Sequence, residues 1–148
     1  MNSESLQALV AWYQTLSPAS LSRLPEFYVE DAYFKDPFQE LHSRARLRAV
    51  YEHMFETLEQ PRFDITGTVC EGRQAFLIWN MHFRSGRRSL CLHGSTHLVF
   101  ADDGRISRHR DYWDAAEELY EKLPVLGWFM KQLKKKLQVP SGPGHAEG

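Results

Sequence analysis

The chain has only two cysteines in 148 residues. Cys70 and Cys91 form neither a disulfide framework nor a metal-binding motif. Each sits in an apolar, strand-like run and is expected to be a buried thiol in a reducing compartment. Charge of one sign is also lacking, since the formal net charge is -1, which argues against a broad nucleic-acid footprint. No apolar run approaches the length that crosses a bilayer. Met1-Asn2-Ser3-Glu4 lacks a basic segment, so no secretory leader is expected and a cytoplasmic location is the default. Neither a repeat nor a linker divides the sequence, so one domain with a substantial core is expected. Aromatic side chains are what the chain has in quantity. They make up 13% of it, a share suited to a cavity with bulky walls.

Periodicity sorts the chain into two halves. Leu6, Leu9, Val10, Tyr13 and Leu16 follow a helical stripe, with Tyr13 on the buried face. Ser17-Pro18 reads as an N-cap and first helical position, and Pro25 should interrupt the short helix that follows. Ala32 to Lys35 reads as a short strand stopped by Asp36-Pro37. A third helix starts near Ser43 and carries Leu47, Val50, Tyr51, Met54 and Leu58 on one side. After Pro61 the texture turns to β-branched and aromatic residues, with turns at Glu71-Gly72, Ser85-Gly86 and Asp102-Asp103-Gly104. Helices followed by hairpin-linked strands indicate an α+β fold with a strongly curved antiparallel sheet. Residues 1–123 form the expected domain. Leu126, Phe129, Met130, Leu133 and Leu137, with Lys131 and Lys134 to Lys136 nearby, predict a basic amphipathic helix over 124–139. Residues 140–148 read as a disordered tail.

The most informative stretch is His109-Arg110-Asp111-Tyr112-Trp113-Asp114. In an extended segment His109, Asp111 and Trp113 share one face, and Arg108, Arg110 and Tyr112 the other. A carboxylate between an imidazole and an indole on an apolar face must be hydrogen-bonded, protonated or lining a pocket. Two residues along a strand place His109 and Asp111 about 7 Å apart, with room for a ligand atom or water between them.

This order of elements, the Asp36-Pro37 strand end and the glycine turn before Tyr112-Trp113-Asp114 resemble a known family. It comprises the cone-shaped α+β barrels of nuclear transport factor 2, ketosteroid isomerase, limonene epoxide hydrolase and the SnoaL-type polyketide cyclases. The resemblance covers roughly residues 5–120 and implies N-terminal helices folded over the concave face of the sheet. By similarity to the isomerase, Asp36 matches the catalytic aspartate and Tyr13 the oxyanion-hole tyrosine. Thr96 stands where the isomerase has a protonated aspartate. By similarity to the hydrolase and the cyclases, Asp111 matches the acid of the last strand. Phe34 and Asp36 stand at the hydrolase's water-holding positions, and Asn80 and His82 at those of its arginine and second aspartate.

The resemblance implies a small, mostly apolar ligand and acid–base chemistry without a cofactor. Asp36 or Asp111 would move the proton, while Tyr13, Thr96, Asn80 and His109 position or stabilise an oxyanion. Phe34, His82 and Trp113 complete the expected binding wall. Each of these residues also has a structural reading. In that reading Asp36-Pro37 ends a strand and nothing more, Asp111 is a satisfied core acid, and Tyr13 is an amphipathic core residue. His93 and His97, about 13 Å apart along one strand, cannot share a zinc, so no metal is expected. The inward placement of Asn80 and His82 leaves Trp79, Met81 and Phe83 as an apolar stripe outside, which predicts a homodimer through the convex sheet face. The opposite register would remove Asn80 and His82 from the site. A non-catalytic binding module and a membrane-surface role for the basic helix are the competing functions.

Overall fold

The computed structural model describes residues 2–113. The expectations for Asp114, for the rest of the domain to 123, for the basic helix and for the tail fall outside that range. Helix α1 (Ser3–Gln14) starts at Asn2, whose side chain accepts a 2.7 Å hydrogen bond from the Ser5 N–H. It buries Leu9, Trp12 and Tyr13, three positions of the helical stripe or next to it. Ser17 accepts from the Ser20 N–H at 3.1 Å, leading into a 3-10 turn (Ala19–Arg23) and helix α2 (Leu24–Phe27). Pro25 does not break this segment. It occupies the first turn of α2, where its missing N–H removes no intrahelical bond.

Strand β1 (Tyr28–Lys35) is longer than its C-terminal half suggested, and β2 (Glu40–His42) pairs back on it. Helix α3 (Arg44–Thr57) is capped by Ser43 and buries Leu47, Val50, Tyr51 and Met54. Four strands follow: β3 (Glu59–Glu71), β4 (Gln74–Ser85), β5 (Arg88–Phe100) and β6 (Ile106–Tyr112). They form one six-stranded sheet in the order β2-β1-β6-β5-β4-β3. The sheet is mixed and unclosed. All pairings are antiparallel except β1–β6, which is parallel, as the long stretch of chain between the two strands allows. Helix α1 packs against β3 and α3 against β1, giving a cone-like α+β fold with the core between helices and concave face.

On β4 the buried residues are Ala75, Leu77, Trp79, Met81 and Phe83; on β5 they are Leu92, Gly94, Thr96, Leu98 and Phe100. The opposite register therefore holds, and the inward placement of Asn80 and His82 is corrected. Both lie on the convex face, where Asn80 Oδ1 bonds His93 Nδ1 at 2.9 Å and His82 Nε2 meets Asp64 Oδ2 at 2.9 Å. Gly94 is what lets Trp79 turn in. A Cβ at Gly94 would stand 2.6 Å from Trp79 Cη2 and 2.9 Å from the Tyr112 carbonyl oxygen, so the indole occupies the space a side chain would need. With Trp79, Met81 and Phe83 in the core, they are not the outer stripe. The convex face instead exposes Val69, Phe76, Ile78 and Tyr112. Cys70, at the end of β3, is exposed rather than buried.

Candidate functional site

His109 and Asp111 leave β6 on the concave side, and Arg108 and Arg110 leave it on the other, over the rings of Tyr33 and Tyr112. The expected gap between His109 and Asp111 is closed: His109 Nε2 lies 2.7 Å from Asp111 Oδ1. Side chains flex toward each other by more than strand rise alone indicates. The same Oδ1 accepts a 2.5 Å hydrogen bond from the Thr96 hydroxyl, which in turn accepts from Trp79 Nε1 at 2.8 Å. No other described residue bonds Asp111, so Oδ2 has no protein partner among them.

The far side of the imidazole is equally engaged. His109 Nδ1 lies 2.8 Å from the Tyr28 hydroxyl, which is hydrogen-bonded to that of Tyr13. An ionised carboxylate only accepts, so Nε2 carries a proton toward Asp111. Nδ1 and the Tyr13 hydroxyl both meet the Tyr28 hydroxyl, and Tyr13 also lies 3.5 Å from Nδ1. Burial pushes the Tyr13, Tyr28 and Tyr51 phenols well above their ordinary range, so all three stay neutral. The result is a hydrogen-bonded chain from α1 through β1 to the end of β6. The hydroxyls of Tyr13 and Thr96 are engaged within it, with Tyr28 and with Asp111.

Asp36 follows β1 and does stop the strand: its Oδ1 accepts from the Phe38 and Gln39 N–H groups at 2.8 and 2.9 Å. Its Oδ2 accepts from Gln39 Nε2 at 3.2 Å. Burial, then the negative charge of Asp111, push its carboxyl up to about 6 against those hydrogen bonds. The strand-ending reading of Asp36 is thus correct, and the residue also faces a cavity.

That cavity has two adjoining lobes. An inner lobe of about 30 Å³ lies against Tyr13, Thr96, His109 and Asp111. An outer lobe of about 80 Å³ lies against Phe34, Asp36, Tyr51, Asp111 and Trp113, and both share Phe63 and Trp79. Of the nine expected site residues, the fold gathers Asp36, Asp111, Tyr13, His109, Phe34, Thr96 and Trp113 and excludes Asn80 and His82. Tyr28, Tyr51 and Trp79 were not among them. Alternation back from Asp36 gives Phe34 and Ala32 but then the exposed Glu30, and the register shifts between Tyr28 and Tyr33, so parity alone did not reveal Tyr28. Tyr51 was visible on its helix stripe without a sign that its hydroxyl meets the site. Among the described residues no group of three or more His, Cys, Asp or Glu side chains is placed to hold a metal.

A family model for the SnoaL-like domain matches residues 9–109, from the middle of α1 to the histidine of the dyad. The chain belongs to the SnoaL-like family. No curated protein sequence matches it. Solved structures similar to this SnoaL-like domain include a Catenulispora acidiphila protein of ketosteroid isomerase-like fold in complex with trimethylamine. Its TM-score is 0.67 at 16% identity, over 84% of this chain and 96% of that one. A nuclear transport factor 2-like protein of unknown function from Burkholderia pseudomallei gives 0.69 at 16%, over 80% and 97%. A limonene epoxide hydrolase-like epoxide hydrolase of Mycobacterium tuberculosis gives 0.67 at 17%, over 88% and 94%. At such identities the likeness is one of fold, and it agrees with the nuclear transport factor 2-like architecture of this SnoaL-like domain.

Proposed function

We propose that the chain is a cofactor-independent acid–base catalyst acting on a small, mostly apolar molecule, with Asp111 and Asp36 exchanging the proton. The observation that carries this reading is Asp111 Oδ2, a carboxylate oxygen without a protein partner among the described residues, on the wall shared by two cavity lobes. Its sister oxygen is held by Thr96 and His109, which fixes the side chain in one orientation. Oδ2 removes a proton from an activated C–H or from water, and the protonated fraction of Asp36 hydrogen-bonds the oxygen that gains charge. A carboxyl near 6 suits this work close to neutral pH. Tyr13, Tyr28 and His109 set the polarity of Asp111 from behind; Tyr13 and Thr96 do not reach the substrate as free donors.

The cavity limits what can enter. Asp36, Asp111 and Trp113 also line an open pocket of about 530 Å³. The outer lobe, about 80 Å³, is smaller than the roughly 150 Å³ that admits benzene, so the part of a substrate it encloses is a few heavy atoms across. The complex of the Catenulispora protein with trimethylamine fits a pocket of that class. A substrate-blind assay tests the chemistry: small ketones and epoxides are incubated with the protein in D2O, and NMR follows deuterium uptake or diol formation. Turnover that Asp111→Asn abolishes and Asp36→Asn lowers is the expected result. If both variants turn over the panel as well as the unaltered protein, the catalytic reading is wrong.

The saturated Oδ1 of Asp111 favours a second reading, a non-catalytic module that binds the same kind of molecule. Saturable binding without turnover in the same assay selects it. Either function is compatible with a homodimer, here through Val69, Phe76, Ile78 and Tyr112 on the convex face.

A further inference from the structure

We infer that the outer lobe of the cavity is a site for a small organic cation, an alkylated ammonium of about four to six heavy atoms. This names the ligand class of the proposed site and rests on the reading that Asp111 and Asp36 face the bound molecule. The chemistry of the walls is one-sided. Two carboxylates face the lobe, and among the described residues no lysine or arginine lines either lobe. Lys35 and Arg110 line an open pocket that also meets Asp36, Asp111 and Trp113, but each has its own partner there: Lys35 sits 3.8 Å from Glu40, and Arg110 lies over Tyr112.

The rest of the lobe is ring surface. Phe38 and Trp113 meet at 66° with centroids 5.4 Å apart, and Phe63 and Trp79 at 90° and 5.6 Å. With Phe34 and Tyr51 they make an aromatic box open to the two acids. Aromatic faces carry negative potential, so they attract a cation and repel an anion. An anionic ligand would meet carboxylates and ring faces together. A neutral hydrocarbon would leave Asp111 Oδ2 desolvated and unpaired. An alkylammonium satisfies both surfaces, its N–H on Oδ2 and its alkyl groups on the rings. A hard metal ion does not, because it needs more oxygen ligands than this lobe offers.

The test compares three molecules of one shape, tert-butylammonium, tert-butanol and pivalate, by calorimetry on the full chain. The indole N–H resonance of Trp79 reports binding at this site. The ammonium is expected to bind at least about tenfold more tightly than the alcohol, with pivalate not binding, and Asp111→Asn to erase the preference. Asp36→Asn, which retains its turn hydrogen bonds, is expected to weaken it and guards against a misfolded Asp111 variant. Equal or tighter binding of the alcohol or of pivalate overturns the inference, as does no ammonium binding at millimolar concentrations. Ammonium binding without turnover of ketones and epoxides would sink the acid–base reading and leave the cation site standing. Turnover that tert-butylammonium neither inhibits nor accompanies by binding would sink the cation site alone.

Discussion

At Asp36 the site and the stability of the fold pull against each other. Its carboxyl is raised from 3.8 to about 6, so the folded protein favours the neutral form. The stability gained from that preference is complete below about pH 4 and is lost as pH rises through about 6. The gap corresponds to roughly 3 kcal/mol. Asp36→Asn keeps an oxygen for the Phe38 and Gln39 N–H groups but cannot ionise. Urea denaturation should therefore find the variant about 1–3 kcal/mol more stable than the parent at pH 7.5 and nearly equal at pH 4. A constant difference at the two pH values would mean that Asp36 titrates as an ordinary surface acid. Much of this residue was legible beforehand, since Asp-Pro announced both a strand end and a family position. The partner bonded to His109 Nδ1 was not. Tyr28 lies 81 positions away along the chain, and no local pattern connects the two.

Among the elements, β4 shows which rule to trust. Plain alternation places Trp79, Met81 and Phe83 together on one face, and an apolar set belongs in the core. Positional likeness to the hydrolase placed Asn80 and His82 there instead, and the alternation prevailed. The decisive partner is on β5, where Gly94 stands opposite Trp79. A sequence reader sees a glycine in a strand; only the pairing register reveals whose ring needs the room. Gly94→Ala is expected to push the indole off its position over β5 and lengthen its hydrogen bond to Thr96. The cost should be about 1–3 kcal/mol, read by thermal denaturation, with a shifted tryptophan emission. Unchanged stability and emission would show that the close approach is readily relieved. The stop at Pro25 failed for a related reason. A proline ends a helix from its interior but not from its first turn, and periodicity does not fix the start of α2 closely enough to tell these apart.

At the scale of the molecule, the convex face presents Val69 across from Phe76, with Ile78 two residues on and Tyr112 one strand beyond Ser95. Val69 is 60% exposed, Phe76 44%, Ile78 41% and Tyr112 46%. The proposed homodimer would bury this apolar group. Sedimentation equilibrium should find a dimer, and Phe76→Glu with Ile78→Glu a monomer whose fold is intact by circular dichroism. A parent chain that sediments as a monomer would reject this pairing. Among the described residues no helix is long and apolar enough to cross a membrane. The fold class followed from the order of elements, while the one parallel pairing did not, because sequence order does not say which strand β1 will meet.

That parallel pairing of β1 with β6 has a consequence for how the protein comes into being. The hydroxyl of Tyr13 and the ring of His109 are 96 positions apart, and the strand that carries Asp111 is the last of the sheet. During synthesis a ribosome has delivered all three α-helices and the five strands β1 to β5 before the first atom of the dyad exists. A nascent or truncated chain lacking β6 has Asp36 but neither His109 nor Asp111, and so no dyad. The His109–Asp111 pair assembles only when the late strand takes its place between β1 and β5, so the intact pair doubles as a proof of complete folding.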